Sequence, residues 1–186
     1  MTVIFQALRL LSHFMAQPSI SPHDQTMFTR GLYITEYKLL VLLDQKPEDS
    51  EDDFISLDRN SHIYGSTRLA AYLYLYIALR ELPRTTMINY TLARRLKGVL
   101  EGTNADLLVV WKEDLYLLLW ILFIGGAATH GTDERSYFVG ILKRAIERMG
   151  IDSLERFSGA IKEVLWLGEF CKQEAVTLWR EVKLAQ

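Results

Sequence analysis

An uncharged apolar run, Leu115 to Ile124, must be hidden from water wherever the chain folds. At 1.5 Å per residue, a helix of this length covers about 15 Å, half of the ~30 Å hydrocarbon core of a bilayer. Gly125, Gly126 and His130 follow and weaken the apolar character, which disfavours a membrane-spanning helix. The run instead predicts a helix buried inside a bundle of other helices.

The spacing of apolar residues predicts helices along most of the remaining chain. The segment 68–82 alternates Tyr and Leu as a strand does, but its wider pattern fits the 3.6-residue period better. Predicted helices cover 1–16, 24–43, 68–82, 86–100 and most of 107–129. The four prolines, which lie between helical segments, are Pro18, Pro22, Pro47 and Pro83.

Capping signals predict a further helix after the apolar run. Thr132 can act as its N-cap, and Asp133 and Glu134 would then lie in the first turn. Carboxylates are favoured there by the positive end of the helix dipole. Gly150, in the sequence "GID", is expected to close this helix.

The C-terminal part of the chain is predicted to be a last helical region. Asp152 and Glu155 form a pair that resembles a capping box at its start, and a break is expected near Cys171. We find no internal repeat. The sequence therefore predicts an all-α fold over 1–186, a single-domain irregular bundle of about six to eight helices.

Composition, net charge and the cysteine count limit the kinds of site that the chain can form. The 186 residues are 49% hydrophobic and 24% charged, which is ordinary for a globular domain. A net charge of -2 gives no general affinity for nucleic-acid phosphates. Cys171 is the only cysteine, which excludes an intrachain disulfide and a multi-thiolate zinc site. Because Arg9 interrupts the first apolar stretch, we expect no secretory signal and an intracellular soluble protein.

The glycine pair raises the question of a phosphate-binding loop. Gly126 and Gly131 have G-x-x-x-x-G spacing, but Thr132 and Asp133 follow where that motif needs Lys and Ser/Thr. An acid at the second of these positions would repel phosphate. We therefore predict a helix terminus instead.

No residue pattern indicates catalysis, a metal site or a cofactor. Cys171 has no neighbouring histidine, and Ser66 and Ser136 lack G-x-S-x-G surroundings. We therefore predict no enzyme activity and no catalytic, cofactor-binding or metal-binding residue. The histidines without a recognised ligand spacing are His13, His23, His62 and His130.

Charged clusters are predicted to lie on solvated surfaces. The acidic run does not match an EF-hand loop, and amphipathic helices carry basic residues on their wet faces. Contact of the basic clusters with nucleic acid remains the alternative. The acidic run is Glu48, Asp49, Glu51, Asp52 and Asp53; the basic clusters are Arg94, Arg95 and Lys97, and Lys143, Arg144 and Arg148.

Aromatic residues are numerous: four Trp, nine Tyr and eight Phe. They predict an aromatic core. The alternative is an apolar ligand pocket between helices, lined by aromatics such as Trp111, Trp120 and Trp166.

Three stretches, in order between about 61 and 182, resemble the C-terminal part of the fungal-specific transcription-factor regulatory domain. They are "STRLAAYLYLYIALRELP", "LLLWILFIGGAATHGTDERSYFVGIL" and "VLWLGEFCKQEAVTLWREV". That all-helical region lies downstream of a binuclear zinc-cluster DNA-binding module in many fungal regulators. A zinc cluster needs six cysteines and this chain has one, so we expect that module to be absent here.

The resemblance implies a regulatory or interaction module of a fungal transcription regulator, acting in the nucleus. Its expected partners are proteins of the transcription machinery, a missing zinc-cluster module or a small-molecule effector, without direct nucleic-acid or membrane binding. One alternative is a small helical ligand-binding protein or enzyme with an aromatic-lined pocket. Another is a non-functional remnant, which predicts a large uncovered hydrophobic patch.

Overall fold

A computed structural model of the chain describes residues 1–17, 21–44, 54–102 and 106–185. Within these ranges the backbone forms nine α-helices and one π-helical segment, and no strand. The predicted all-α bundle is therefore confirmed. The helices are α1 (Thr2–Met15), α2 (Pro22–Asp44), α3 (Phe54–Tyr74), α4 (Met87–Glu101), α5 (Leu107–Val110), α6 (Leu115–Ala128), α7 (Arg135–Arg148), α8 (Leu154–Val164) and α9 (Gly168–Leu184).

The apolar run lies in α6, at the centre of the bundle. Every residue from Leu118 to Thr129 is buried, and α6 contacts α3, α4, α7, α8 and α9. A Cβ atom at Gly125 would lie 2.3 Å from the Phe138 ring on α7, and one at Gly126 would lie 2.8 Å from Leu178 on α9. The predicted burial of the run is confirmed from Leu118 onward, whereas Leu115 and Leu117 are partly buried and Tyr116 is 53% exposed. No helix in the described part of the chain is long and apolar enough to cross a bilayer.

Two other glycines end helical segments in the left-handed conformation. Gly131, in the turn after α6, has φ of 79°, and Gly150, after α7, has φ of 64°. Glycine adopts these angles without steric cost. Gly126 lies inside α6, so the G-x-x-x-x-G spacing reflects helix packing followed by a turn, as predicted.

The start of α7 differs from the prediction. Thr132 does not act as its cap, because its hydroxyl donates to the carbonyl of Thr129 at 3.1 Å. α7 begins at Arg135, so Asp133 and Glu134 precede its first turn. The last carbonyls of a helix have no donors within the helix. The Thr132 hydroxyl therefore bonds to the end of α6 and not to the start of α7.

The last helical region begins and breaks at positions other than those predicted. Ser153, not Asp152, is the N-cap of α8, and its hydroxyl accepts from the Arg156 N–H at 3.3 Å. The break falls at 165–167, where two leucines are buried in extended backbone. Cys171 lies in the first turn of α9, and its Sγ accepts a backbone N–H from the broken segment at 3.2 Å.

The helix predicted over 68–82 is the end of the longer helix α3. The chain continues from α3 into the π-helical segment Leu75–Leu79. Glu81 then takes a left-handed φ of 51°, and the N–H of the next residue donates to the carbonyl of Tyr76 at 2.9 Å. The predicted helix is therefore confirmed. The spacing of the apolar residues does not indicate the wider π-helical turn at its end.

Candidate binding cleft

An open cleft of about 1060 Å³ lies between α1, α3, the start of α6 and α8. We call it the α1–α8 cleft. It has an apolar floor and a rim with both signs of charge. Floor residues include Phe5, Ile63, Leu117, Met149, Ile151 and Ala160. The charged rim residues are Arg9, Glu113, Asp114, Arg156 and Glu163.

Arg9 closes one end of the cleft by joining α1 to the end of α8. Its guanidinium donates to the carbonyl of Val164 at 2.9 and 3.1 Å, and to that of Glu163 at 3.3 Å. The last carbonyls of a helix lack partners within the helix, and the helix dipole favours a cation beside them. These carbonyls carry no formal charge. The positive charge of the Arg9 guanidinium therefore remains at the cleft rim.

One wall of the cleft depends on Trp120. The Phe5 ring on α1 packs edge-on against this indole, with centroids 5.3 Å apart and an interplanar angle of 64°. Trp120 Nε1 donates to the carbonyl of Leu165 at 3.1 Å. The buried indole therefore connects α1, α6 and the segment after α8, and it fixes where Phe5 enters the cleft.

Small residues on α8 keep the cleft open. Gly159 and Ala160 line it, and a Cβ atom at Gly159 would meet no heavy atom within 4 Å. None of the described lining residues is His, Cys or Ser. The cleft thus offers apolar contacts and charged groups, the combination that small-molecule sites present.

The three tryptophans considered as a pocket lining are not brought together. Trp111 and Trp120 are fully buried in the core and do not line the cleft. The indole nitrogen of Trp111 has no hydrogen-bond partner among the described residues. Trp166 is half-buried, with the Lys162 ammonium 4.9 Å from the centre of its ring. These positions favour the core interpretation for Trp111 and Trp120.

The aromatic residues that do line the cleft are Phe5, Tyr64 and Tyr116, which the sequence analysis did not single out. Phe5 lies beside the predicted apolar stripe of the first helix. Tyr116 is the second residue of α6 and is exposed. The only local signal for these lining residues is the position of an aromatic side chain beside a buried apolar stripe.

The histidines and the cysteine lie apart from the cleft. Within the described ranges no group of three or more His, Cys, Asp or Glu is placed to hold a metal ion. His62 Nδ1 lies 3.2 Å from the carbonyl of Val99, and His13, His23 and His130 are exposed. Burial raises the pKa of the Cys171 thiol to about 12, so it stays protonated near neutral pH.

The serines considered as nucleophiles have structural roles. Ser66 is buried on α3. The hydroxyl of Ser136 donates to the carbonyl of Asp133 at 3.0 Å, next to the start of α7. Neither lines the cleft.

Several residues of the predicted basic clusters face carboxylates. Arg94 lies 3.7 Å from Glu134, and Lys97 lies 3.6 Å from Glu101. In the second cluster, Arg144 Nη2 lies 2.9 Å from the Asp106 carboxylate. Lys143 in the same cluster donates to the carbonyl of Ala185. Such pairs reduce the net positive field, which agrees with solvated helix faces. The acidic run from Glu48 to Asp53 lies outside the described residues.

A partly buried ion pair that the sequence analysis missed joins α7 to α9. Arg135 donates to both carboxylate oxygens of Glu181 at 2.8 Å and also to the carbonyl of Gly126. The hydrogen bond from Arg135 lowers the pKa of Glu181 below its ordinary value. The two residues are 46 positions apart, so no local pattern could pair them.

Comparison with known proteins gives no match: no family model, no curated protein and no solved structure is similar to the chain. The three stretches of the resemblance fall in α3 with its π-helical end, in α6 and α7, and in the segment from the end of α8 through α9. These helices contact one another around α6. The α1–α8 cleft lies at the edge of that core.

Proposed function

We propose that the chain is a regulatory module of a fungal transcription regulator, which binds a small amphipathic effector in the α1–α8 cleft. The observation that carries the proposal is the cleft itself, with an apolar floor and a charged rim. Its volume is comparable to the roughly 300–1,000 Å³ of small-molecule sites. The regulator character comes from the resemblance of the three ordered stretches.

The mechanism follows from which helices the cleft separates. An effector that touches both α1 and α8 favours the arrangement in which α1 is docked, and only such a difference in affinity can shift the population. α1 contacts α2 and the π-helical segment on its other side. Effector binding is therefore transmitted to α2 and the π-helical segment through α1, and protein partners of the transcription machinery or a zinc-cluster module respond to the changed position of α1.

Binding is tested with anilinonaphthalenesulfonate, an anionic aromatic probe that suits an apolar floor beside Arg9. The variant Gly159→Phe adds a ring to the lining of the cleft, at a position where a Cβ atom meets no heavy atom within 4 Å. We expect it to weaken binding of this probe at least about tenfold. Gly98→Phe is the matched control. It is also an exposed helical glycine with no heavy atom within 4 Å of its ideal Cβ, and it lies outside the cleft. Equal binding by both variants would contradict the cleft as the site.

Regulation is tested by fusing the chain to an unrelated DNA-binding module and measuring reporter output in a fungal cell. We expect the fusion to change reporter output, and the Gly159→Phe fusion to lose any response to an added effector. An unchanged output from the wild-type fusion favours the alternative, a ligand-binding protein that uses the same cleft. From the same resemblance we also propose that the chain acts in the nucleus, and imaging of the tagged chain checks this.

The chain is proposed not to bind DNA by itself. Its net charge is -2, and basic residues such as Arg94 and Arg144 face carboxylates. In a gel-shift titration at low salt, where phosphate contacts are strongest, we expect no sequence-selective complex. Tight, sequence-selective binding by the purified chain would contradict this part of the proposal.

A further inference from the structure

One face of α2 is apolar and exposed although the helix belongs to the bundle. Six large side chains on it are between 39% and 67% exposed. With about 200 Å² for each fully exposed side chain, they present on the order of 600 Å², the upper range for a patch on a typical monomer. They are Met27, Tyr33, Ile34, Tyr37, Leu40 and Val41. We call this set the α2 outer face.

The opposite face of α2 anchors the helix to the bundle. Leu32 and Leu39 are buried. Between them Glu36 accepts hydrogen bonds from the Tyr76 hydroxyl at 2.6 Å and from Arg80 at 2.5 Å. The α2 outer face is therefore the outward side of a helix whose rotation about its own axis is fixed.

The spacing on the α2 outer face is that of a helix–helix seam. Met27, Ile34 and Val41 are seven residues apart, and Arg30 and Tyr37, also seven apart, lie between them. Together they form the a and d positions of a heptad repeat, whose side chains pack against a second helix. Tyr33 and Leu40 repeat at the same interval along one side of this seam. The pattern identifies the occupant as a helix.

We infer that the occupant is α2 of a second copy of this chain, in antiparallel orientation. A two-fold axis that passes between Tyr33 and Ile34 sets Arg30 opposite Tyr37 of the second copy, and Tyr37 opposite Arg30 of the second copy. A guanidinium over a tyrosine ring is attractive. A parallel pairing would set the two Arg30 side chains against each other, and like charges disfavour it. This inference does not depend on the proposed effector cleft.

The surface beside Arg30 has room for the incoming ring. A hollow of about 530 Å³ lies on this face next to Arg30 and Ile34. Complete coverage of this apolar area, on the order of 600 Å² per copy, reaches only the low end of specific interfaces, which bury about 600–1,000 Å² per partner. We therefore expect a reversible dimer with a dissociation constant in the micromolar range.

The test is sedimentation equilibrium of the whole purified chain from about 1 to about 100 µM. Ile34→Lys places two charges at the centre of the seam, and we expect it to raise the dissociation constant about 100-fold. Ile88→Lys on α4 is the matched control, because Ile34 and Ile88 are both 44% exposed. Circular dichroism shows whether both variants keep the helical content of the wild type.

The orientation is tested by cross-linking with a short bifunctional maleimide. The same axis sets Met27 opposite Leu40 of the second copy, so the double variant Met27→Cys, Leu40→Cys is expected to give a covalent dimer. Each single variant is expected to give none. The native Cys171 is buried and does not compete for the reagent.

Four results would overturn the inference. One is a monomer at every concentration, even if the chain then binds an added helical peptide or phosphatidylserine liposomes. Another is a dimer that Ile34→Lys leaves unchanged. A third is cross-linking of the single Met27→Cys variant, which would mean parallel helices. The last is open-ended aggregation that does not stop at two copies, which is the behaviour of an uncovered remnant surface.

Discussion

Arg135 joins three helices through one guanidinium. It lies on α7, holds Glu181 on α9 with two hydrogen bonds of 2.8 Å, and reaches the carbonyl of Gly126 near the end of α6. Bidentate pairs of arginine and carboxylate are among the stronger hydrogen-bonded contacts in proteins. Glu181 is 34% exposed, so solvent screens part of the interaction. The pair therefore fixes helix positions more than it adds to the net free energy of unfolding.

Removing the guanidinium should lower stability in a pH-dependent way. Arg135→Met leaves Glu181 and the Gly126 carbonyl without their donor, and we expect the free energy of unfolding to fall by about 2 kcal/mol near neutral pH. The native pKa of Glu181 is lowered, so its contribution is complete above the ordinary value of 4.5 and is lost as pH falls through the lower native value. Urea unfolding at several pH values measures both effects.

The difference between Arg135→Met and wild type should narrow as the pH falls below 4.5. Arg156→Met serves as the control, because the Arg156–Asp152 pair is 63% and 73% exposed and should change stability by less than about 0.5 kcal/mol. A loss for Arg135→Met that stays constant across the acid range would refute the assigned role of Glu181.

Glu81 is the one described non-glycine residue with a left-handed backbone, at φ of 51°. A side chain in this conformation crowds its own carbonyl, whereas glycine does not. We expect Glu81→Gly to raise the free energy of unfolding by about 0.5–1 kcal/mol. Glu81→Ala, which keeps a Cβ atom, should give no such gain. Chemical denaturation distinguishes the two, and a gain from alanine as large as from glycine would assign the effect to the lost carboxylate instead.

At the scale of the element, α6 and α8 show how different apolar patterns lead to different roles, because α6 is apolar on all sides and α8 on one side only. α6 is surrounded by five helices and is buried from Leu118 to its end. α8 buries one face, with Phe157 and Ile161, and leaves Gly159 and Glu163 at the surface beside the cleft. The packing of a central helix therefore depends on the size of each residue. The packing of a surface helix depends on which of its faces points to solvent.

Glycine substitutions separate these two cases. In Gly125→Ala the new Cβ would lie 2.3 Å from the Phe138 ring, so we expect a loss of about 2–3 kcal/mol from overpacking. In Gly98→Ala on exposed α4 the Cβ meets nothing within 4 Å, so helix propensity should raise stability by about 0.5–1 kcal/mol. Thermal unfolding of the two variants measures opposite shifts, and a Gly125→Ala protein as stable as wild type would contradict the close packing of α6 on α7.

At the scale of the whole molecule, one continuous core of buried side chains runs from α1 to α9. α1 joins it through the Ser12–Tyr74 contact of 2.6 Å between hydroxyl oxygens and through Arg9, which bonds to α8. Burial raises the pKa of Tyr74, so the phenol stays neutral in this contact. The N-terminal helix is thus part of the folded unit and shapes the cleft.

A single core predicts a single unfolding transition. Far-ultraviolet circular dichroism follows all helices, whereas tryptophan fluorescence includes the buried Trp111 and Trp120. We expect the two signals to give the same urea midpoint, as two-state unfolding requires. An earlier transition seen only by circular dichroism would mean that peripheral helices unfold before the core.

The sequence by itself determined the helical class, the burial of the apolar run and the approximate positions of most helices. These properties depend on periodicity and on the scarcity of prolines, which are local features of the chain. The end at Gly150 was predictable for the same reason, because glycine alone adopts that turn without strain. The cap at Asp152 was misplaced because the neighbouring Ser153 competes for the same role. The cap at Thr132 was misplaced because its hydroxyl donates to a carbonyl after the end of α6.

Only the tertiary structure decided the cleft, the Arg135–Glu181 pair and the exposed side of α2. The bond from Arg9 to Val164 joins residues 155 positions apart, and the aromatic lining residues Phe5, Tyr64 and Tyr116 come from three separate helices. Periodicity shows that a helix has an apolar face, but it carries no information about which distant helix covers that face or leaves it open. That choice depends on how all the helices fill space together around α6.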